Sequence, residues 1–258
     1  MRGLVILLAL LLPLSSSADS TLPFLKDLAG DTELPRPWGI GIDFYTMDQD
    51  YDIQDLQFII PGVSLGDPSQ IKVTNDVVHF DIQADAWLLP FLNVFAVVGH
   101  VNIDTMVDFS QAEIVGLPFA LGTLPVSFSG LVYGGGFTLA YGNENWFTSV
   151  TTSYTKTDTS GDLDSSVKSL SVQPRIGLLR NDWRFWVGGM YLDTDETHSG
   201  MFELPYLGAV PFSVELATKD NWNYTAGAGY VFNDRANLSL EVGFGSRTHT
   251  LFNFNVRF

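Results

Sequence analysis

A period of two runs through most of this 258-residue chain, and it confines the backbone to strands with two unlike faces. Val78, Phe80, Ile82, Ala84, Ala86 and Leu88 alternate with His79, Asp81, Gln83, Asp85 and Trp87, since successive side chains of a strand point to opposite sides. The next segment repeats the pattern after a turn around Leu89 and Pro90. Here Phe95, Val97, Gly99, Val101 and Ile103 alternate with Ala96, Val98, His100, Asn102 and Asp104. Further strands are predicted at 38–47, 131–141, 146–155, 168–179, 183–193, 222–232, 237–246 and 250–258, which makes ten. Beyond residue 18 no apolar run reaches the roughly 20 residues that a spanning helix needs, so any membrane crossing must be made by strands.

Connection lengths alternate as well. The turns near 89–92, 142–145, 180–182 and 233–236 are short, whereas 48–76, 110–130, 156–167 and 194–221 are long excursions at the opposite end. Trp38, Trp87, Phe91, Trp146, Trp183, Trp222 and Phe232 fall at strand ends, where the aromatic girdles of a membrane barrel would lie. Alternation alone also fits a soluble barrel, with polar faces outside and apolar faces in its core. A membrane barrel is the same pattern turned inside out.

Composition removes other classes. Thirteen Lys and Arg against 29 Asp and Glu give a net charge of −16, which argues against nucleic acid, whose phosphates need clustered cations. With no cysteine, disulfides, thiolate metal sites and thiol nucleophiles are excluded together. There is no Walker loop, dinucleotide fingerprint, serine elbow or zinc-type His cluster. The acidic stretches at 48–55 and 158–166 lack the Gly and Glu positions of an EF-hand, and no metal or cofactor is implied.

The two ends of the chain carry the strongest pointers to location. Arg2, the apolar run Leu4 to Leu14, and Ser16-Ser17-Ala18 read as a signal peptide cleaved after residue 18, followed by a periplasmic segment at 19–37. At the other end Phe252, Phe254, Val256 and Phe258 alternate with Asn253, Asn255 and Arg257. With its final Phe, signal peptide and girdled strands, the chain resembles Gram-negative outer-membrane β-barrel proteins at the level of the class. The resemblance implies an up-and-down transmembrane barrel of about ten strands, over residues 38–258. It implies outer-membrane localisation, Phe258 as the signal to the barrel-assembly machinery, and the lipid bilayer and lipopolysaccharide as partners.

The long connections repeat. Leu117-Pro118-Phe119-Ala120-Leu121-Gly122-Thr123-Leu124-Pro125-Val126-Ser127-Phe128 matches Leu204-Pro205-Tyr206-Leu207-Gly208-Ala209-Val210-Pro211-Phe212-Ser213-Val214 with one deletion, and Gly-rich strands follow both. A four-strand unit at about 77–156 is read as duplicated at about 168–247. Phe119, Leu121, Leu124, Phe128, Tyr206, Leu207 and Phe212 make these loops apolar. They are expected to pack on one another, or to gate access for small or apolar solutes.

Polar strand faces would line the interior. Asp43, His79, Asp81, Asp85, His100, Asn102, Asp104, Arg175 and Glu241 are placed there, and Gly134, Gly136, Gly227 and Gly229 are expected to widen the lumen. A hairpin turn centred near Pro90, between it and Phe91, would set Asp81 opposite His100, a pair that either rigidifies the lumen or acts as half of a general-base constellation. Asp193 and His198 form a second candidate near the outer rim. A narrow channel or passive transporter is the first functional reading. A hydrolase or protease using one of these Asp/His pairs is the alternative, and a structural or adhesive surface barrel the third.

Overall fold

The computed structural model describes residues 21–30, 33–58, 63–116, 121–160, 164–204, 208–233 and 235–258; the signal-peptide reading lies outside them. The described chain is all-β apart from two 3-10 turns, at Lys26–Ala29 and Pro68–Gln70. Its strands are β1 (Trp38–Phe58), β2 (Ser64–Leu65), β3 (Lys72–Leu89), β4 (Leu92–Asp108), β5 (Ile114–Val115), β6 (Thr123–Gly142), β7 (Trp146–Ser160), β8 (Asp164–Arg180), β9 (Trp183–Leu204), β10 (Gly208–Thr218), β11 (Trp222–Val231), β12 (Ala236–Phe244) and β13 (Arg247–Arg257). Antiparallel pairing runs β1–β3–β4–β6–β7–β8–β9–β11–β12–β13 and returns to β1. This is a closed barrel of ten strands.

The start of β1, the end of β13 and the tight turns share one end, called here the terminal end. Most strands run past their expected limits at the other, far end, so much of what reads as loop at 48–76, 110–130 and 194–221 is strand. Beyond the ten, β10 pairs with β9 on one side and β1 on the other. At the far end the ring therefore closes through eight strands, with β10 in place of β11, β12 and β13. Following the first of the two matched apolar segments, β6 runs on without interruption to Gly142. Following the second, the strand breaks after Thr218, so that β10 pairs with β1 and β11 with β12.

Arg247 holds this junction. Its guanidinium donates to the carbonyls of Asp220 (3.1 Å) and Asn221 (2.5 Å) in the connector and to Gln49 Oε1 (2.8 Å) on β1. Asn223 donates to the Arg247 carbonyl at 2.9 Å, and the Asn221 side-chain amide, donating to Leu192 O (3.0 Å), ties the connector to β9. A break in a sheet frees main-chain groups that need partners; Arg247 serves Asp220 O and shares Asn221 O with the Leu192 N–H (2.9 Å).

Each long strand changes polarity along its length. Toward the terminal end Ile40, Ile42 and Phe44 of β1 and Phe80 and Ile82 of β3 point outward, exposed, while Asp43 and Asp81 point in. Toward the far end the faces reverse: Met47, Tyr51, Val73 and Val77 are buried, while Asp48, Asp76 and Asp104 stand side by side outside. The lower half is a membrane barrel, apolar outside, and the upper half is built like a soluble one. Aromatic clusters flank the apolar belt. Trp183, Tyr230 and Phe232 meet edge-on at 5.1 Å near the terminal end, and Tyr224 stacks on Phe244 at 6.2 Å on the far side. Trp87, expected in a girdle, instead points inward beneath Arg257, whose guanidinium carbon lies 5.9 Å from its ring.

Replacing Arg247 with Ala leaves the Asp220 carbonyl and Gln49 Oε1 without their donor and the Asn221 carbonyl with the Leu192 N–H alone, and is expected to lower stability by about 2–4 kcal/mol. Urea unfolding of the refolded protein in detergent checks this, with Thr197→Ala on the exposed face as a near-neutral control; equal midpoints for the two variants would contradict it.

Candidate functional site

The ring encloses a cavity of about 520 Å³, within the range of small-molecule sites. Its wall is divided. Toward the far end it is apolar, formed by a buried cluster of Met47, Val77, Val101, Ile103, Val132, Met190 and Leu192. Toward the terminal end it is polar, with Asp43, His79, Asp81, Arg175, Arg184 and Glu241 among its residues.

Most inward charges are matched. Glu241 accepts two bonds from Arg175 (2.7 and 3.0 Å) and one from Trp186 Nε1 (2.5 Å), with His249 Nε2 at 4.0 Å. Asp85 accepts from Asn93 (2.6 Å), Asn255 (3.1 Å) and Arg257. The indole of Trp186 is why Gly227 has no side chain, since a Cβ there would overlap its ring; Gly136 likewise gives way to Phe95. Gly227 and Gly136 seat aromatic rings, rather than widening the lumen as expected, and Gly134 abuts the β7 backbone, while Gly229 does line the cavity.

Asp43 and Asp81 differ. They are direct cross-strand partners on β1 and β3, both facing in. Asp43 receives Asn253 Nδ2 at 2.6 Å. Asp81 is 7% exposed, its Oδ1 has no hydrogen-bond partner, and His79 Nε2 stands 3.6 Å from its other oxygen.

Above the cavity the eight-stranded part is filled by a second apolar cluster of Tyr51, Ile71, Val73, Phe109 and Leu216, with Leu121, Leu124 and Val214 packed against it. The short β2–β5 pair brings Leu65 and Ile114 onto the same core. An apolar pocket of about 70 Å³ remains within it. His198 lies on that pocket's wall, its ring 4.9 Å from Phe128. Its Nδ1 is 2.8 Å from Ser165 Oγ and its Nε2 is 3.2 Å from Glu196 Oε2. All three residues are buried. Glu196 and His198 share a face of β9 by their spacing of two, and Ser165 on β8 is the direct cross-strand partner of His198. Burial, with the Glu196 carboxylate beside it, pushes the Tyr51 hydroxyl well above the ordinary phenol range.

Several expected sites are redrawn. His100, Asn102 and Asp104 face outward and are exposed, whereas Val97, Val101 and Ile103 of β4 face in. The Asp81/His100 pair is not formed. Asp81 opposes Gly99 and His100 opposes Phe80, because the hairpin carries a register irregularity between Trp87 and Leu89, and a one-residue slip changes every side chain's face. Asp193 points outward while His198 points inward, since an odd spacing on one strand puts them on opposite sides. Ser165 reaches His198 only through the β8–β9 register, which no spacing along the chain shows. Of the apolar loop residues, Leu121 and Leu124 pack on the far-end core and Phe212 lines the 70 Å³ pocket; Phe119, Tyr206 and Leu207 lie outside the described residues. Phe258 closes the seam through main-chain bonds with Trp38 (3.0 and 3.2 Å), its side chain exposed.

No family model and no curated protein matches the chain. Solved structures similar to it include the outer membrane protease OmpT from Escherichia coli, at 9% identity over 87% of this chain and 97% of that one, TM-score 0.44. The transport unit of the autotransporter AIDA-I from Escherichia coli has 9% identity over 91% and 93%, TM-score 0.41. The Ralstonia pickettii toluene transporter TbuX has 11% identity over 88% and 90%, TM-score 0.33. At these values the likenesses assign neither function nor site.

The satisfied network gives a measurable expectation. Glu241→Ala leaves the Trp186 N–H without its acceptor and Arg175 with Gln173 Oε1 alone and is expected to cost about 3–5 kcal/mol in urea unfolding. A loss below about 1 kcal/mol would show that solvent replaces the carboxylate freely.

Proposed function

We propose that the chain is an outer-membrane β-barrel that passes small solutes to the periplasm, its apolar far-end core acting as the gate. The observation that carries this reading is the cavity of about 520 Å³ inside the ring, roofed by side chains that meet without covalent or ionic ties. The apolar belt with aromatics at both margins supports placement in a bilayer, with the far end outward and the termini in the periplasm. An interior that mixes charged and apolar wall suits small amphiphilic solutes better than bulk ions, and an apolar constriction gates by drying.

Single-channel recording of the refolded protein in a planar bilayer tests it. Rare or very small steps are expected from the intact barrel, and frequent, larger steps from a variant with Leu124, Phe128 and Leu216 all changed to Ala. Silence from both, together with no solute-driven swelling of liposomes carrying either, would reject passage.

A second reading rests on Ser165, His198 and Glu196. Glu196 can hold the Nε2 proton, leaving Nδ1 to accept the Ser165 proton as Oγ adds to an ester carbonyl, the relay of a serine hydrolase with the ring nitrogens exchanged. The alcohol would leave with that proton and water would release the acyl group. Hydrolysis of a short-chain p-nitrophenyl ester that falls by about 100-fold or more in Ser165→Ala supports this role; a rate unchanged by the substitution rejects it.

A further inference from the structure

The apolar pocket of about 70 Å³ in the far-end core lies between the two copies of the repeated segment. Leu124, Val126 and Phe128 of the first copy line it from β6, and Phe212 and Val214 of the second line it from β10. In the eight-stranded ring these strands stand four places apart in either direction, through β1, β3 and β4 one way and through β9, β8 and β7 the other. The copies therefore face each other across the interior. With Pro125 and Pro211 aligned, Val126 corresponds to Phe212 and Phe128 to Val214. Duplication has put the same apolar motif on both sides of one space.

The wall of that space offers nothing to water. Its two polar side chains, Thr105 and His198, direct their polar atoms elsewhere: Thr105 Oγ1 donates to Asn75 Oδ1 at 2.7 Å, and the ring nitrogens of His198 are held by Ser165 Oγ and Glu196 Oε2. A buried water needs roughly two to four polar partners, and cavities that lack them stay dry and take apolar guests. Close-packed interiors leave few voids larger than a water molecule, so a space of this size is more than packing slack. Roughly 150 Å³ of apolar cavity admits benzene or xenon, and half of that suits xenon or a hydrocarbon of about four carbons. The pocket also has a defined place. On three strands one inward step separates it from the 520 Å³ cavity: Tyr51 lines the cavity and Ile53 the pocket on β1, as do Ile103 and Thr105 on β4 and Glu196 and His198 on β9. Such a step rises about 7 Å.

We infer that this pocket is a binding site for one small apolar molecule, a hydrocarbon of about four carbons in size, held between the two copies of the repeat directly above the larger cavity. The bonds of His198 to Ser165 and Glu196 keep the polar edge of its ring out of the guest's way. The site's use as a waypoint rests on the reading of the far-end core as a gate, and it narrows that reading: what pauses there must carry an apolar part of this size.

Methyl NMR of the refolded barrel in lipid nanodiscs under rising xenon pressure tests binding apart from passage. Methyl shifts of Leu124, Val214 and Leu216, which line the pocket, are expected to saturate. Those of Val98 and Val187, exposed on the outside of the barrel, are expected to change only in proportion to pressure, as lipid takes up the gas. A fixed pressure of n-butane is expected to raise the half-saturating xenon pressure, because a hydrocarbon takes the same place. Val126→Leu combined with Val214→Leu fills the space and is expected to raise that pressure about ten-fold, read at Leu124 and Leu216. Proportional shifts at every methyl, no competition from n-butane, or saturation unaltered in the double variant overturns the site. The comparison of inner with outer methyls on the unaltered protein decides the matter even if the variant does not fold. Saturable xenon binding in a barrel whose liposomes pass no solute would keep this site and remove the passage; passage without saturable binding would do the reverse.

Discussion

Strand β1 carries the closure on which everything else depends. In lipid no water is available to main-chain groups, so a spanning sheet must have no edge. Along one side residues 38–51 of β1 pair with β3; along the other, residues 39–49 pair with β13 and residues 51–58 with β10. One strand thus closes a ten-stranded ring and an eight-stranded ring in succession. The register irregularity between Ile53 and Asp55 lies in the part that faces β10.

From this double closure follows the division of the interior. Ten strands leave room for a cavity, whereas eight leave an interior that side chains can fill. The filling is apolar because outside this part of the barrel the faces are polar, as in a soluble β-barrel, and the apolar side chains have nowhere else to go. The cavity sits where the two regimes meet, which gives it an apolar roof and a charged floor. Buried charges elsewhere in the lumen are tied into the wall by several donors each, so they act as framework. The pair at Asp43 and Asp81 is the exception.

Much of the ring could be read in the chain because its lower half has one environment on each side. Apolar residues at 78–82 beside polar ones at 79–83 leave a single sensible orientation once lipid is outside. The same rule misplaces His100, Asn102 and Asp104, because β4 climbs out of the apolar belt and the polarity that means lumen below means solvent above. Nothing local marks that crossing. Register was also beyond reach: Leu89-Pro90-Phe91-Leu92 announces a turn but not its irregular pairing, and that detail separates Asp81 from His100. The Ser165, His198 and Glu196 cluster is half legible, as the spacing of two on β9 is plain while the partner on β8 depends on pairing across a hairpin.

The reversal of faces along β4 is the most direct test, and the absence of cysteine from the chain makes it clean. Single cysteines at residues 97, 98, 101 and 102 would carry a nitroxide label, one at a time, in the refolded barrel in liposomes. Collisions with oxygen report contact with lipid, and collisions with a water-soluble nickel chelate report contact with bulk water. The label at residue 98 is expected to meet oxygen, that at 102 the chelate, and those at 97 and 101 to be shielded from lipid. High oxygen accessibility at 97 and 101 with shielding at 98 and 102 would turn the strand around and contradict the inverted upper half.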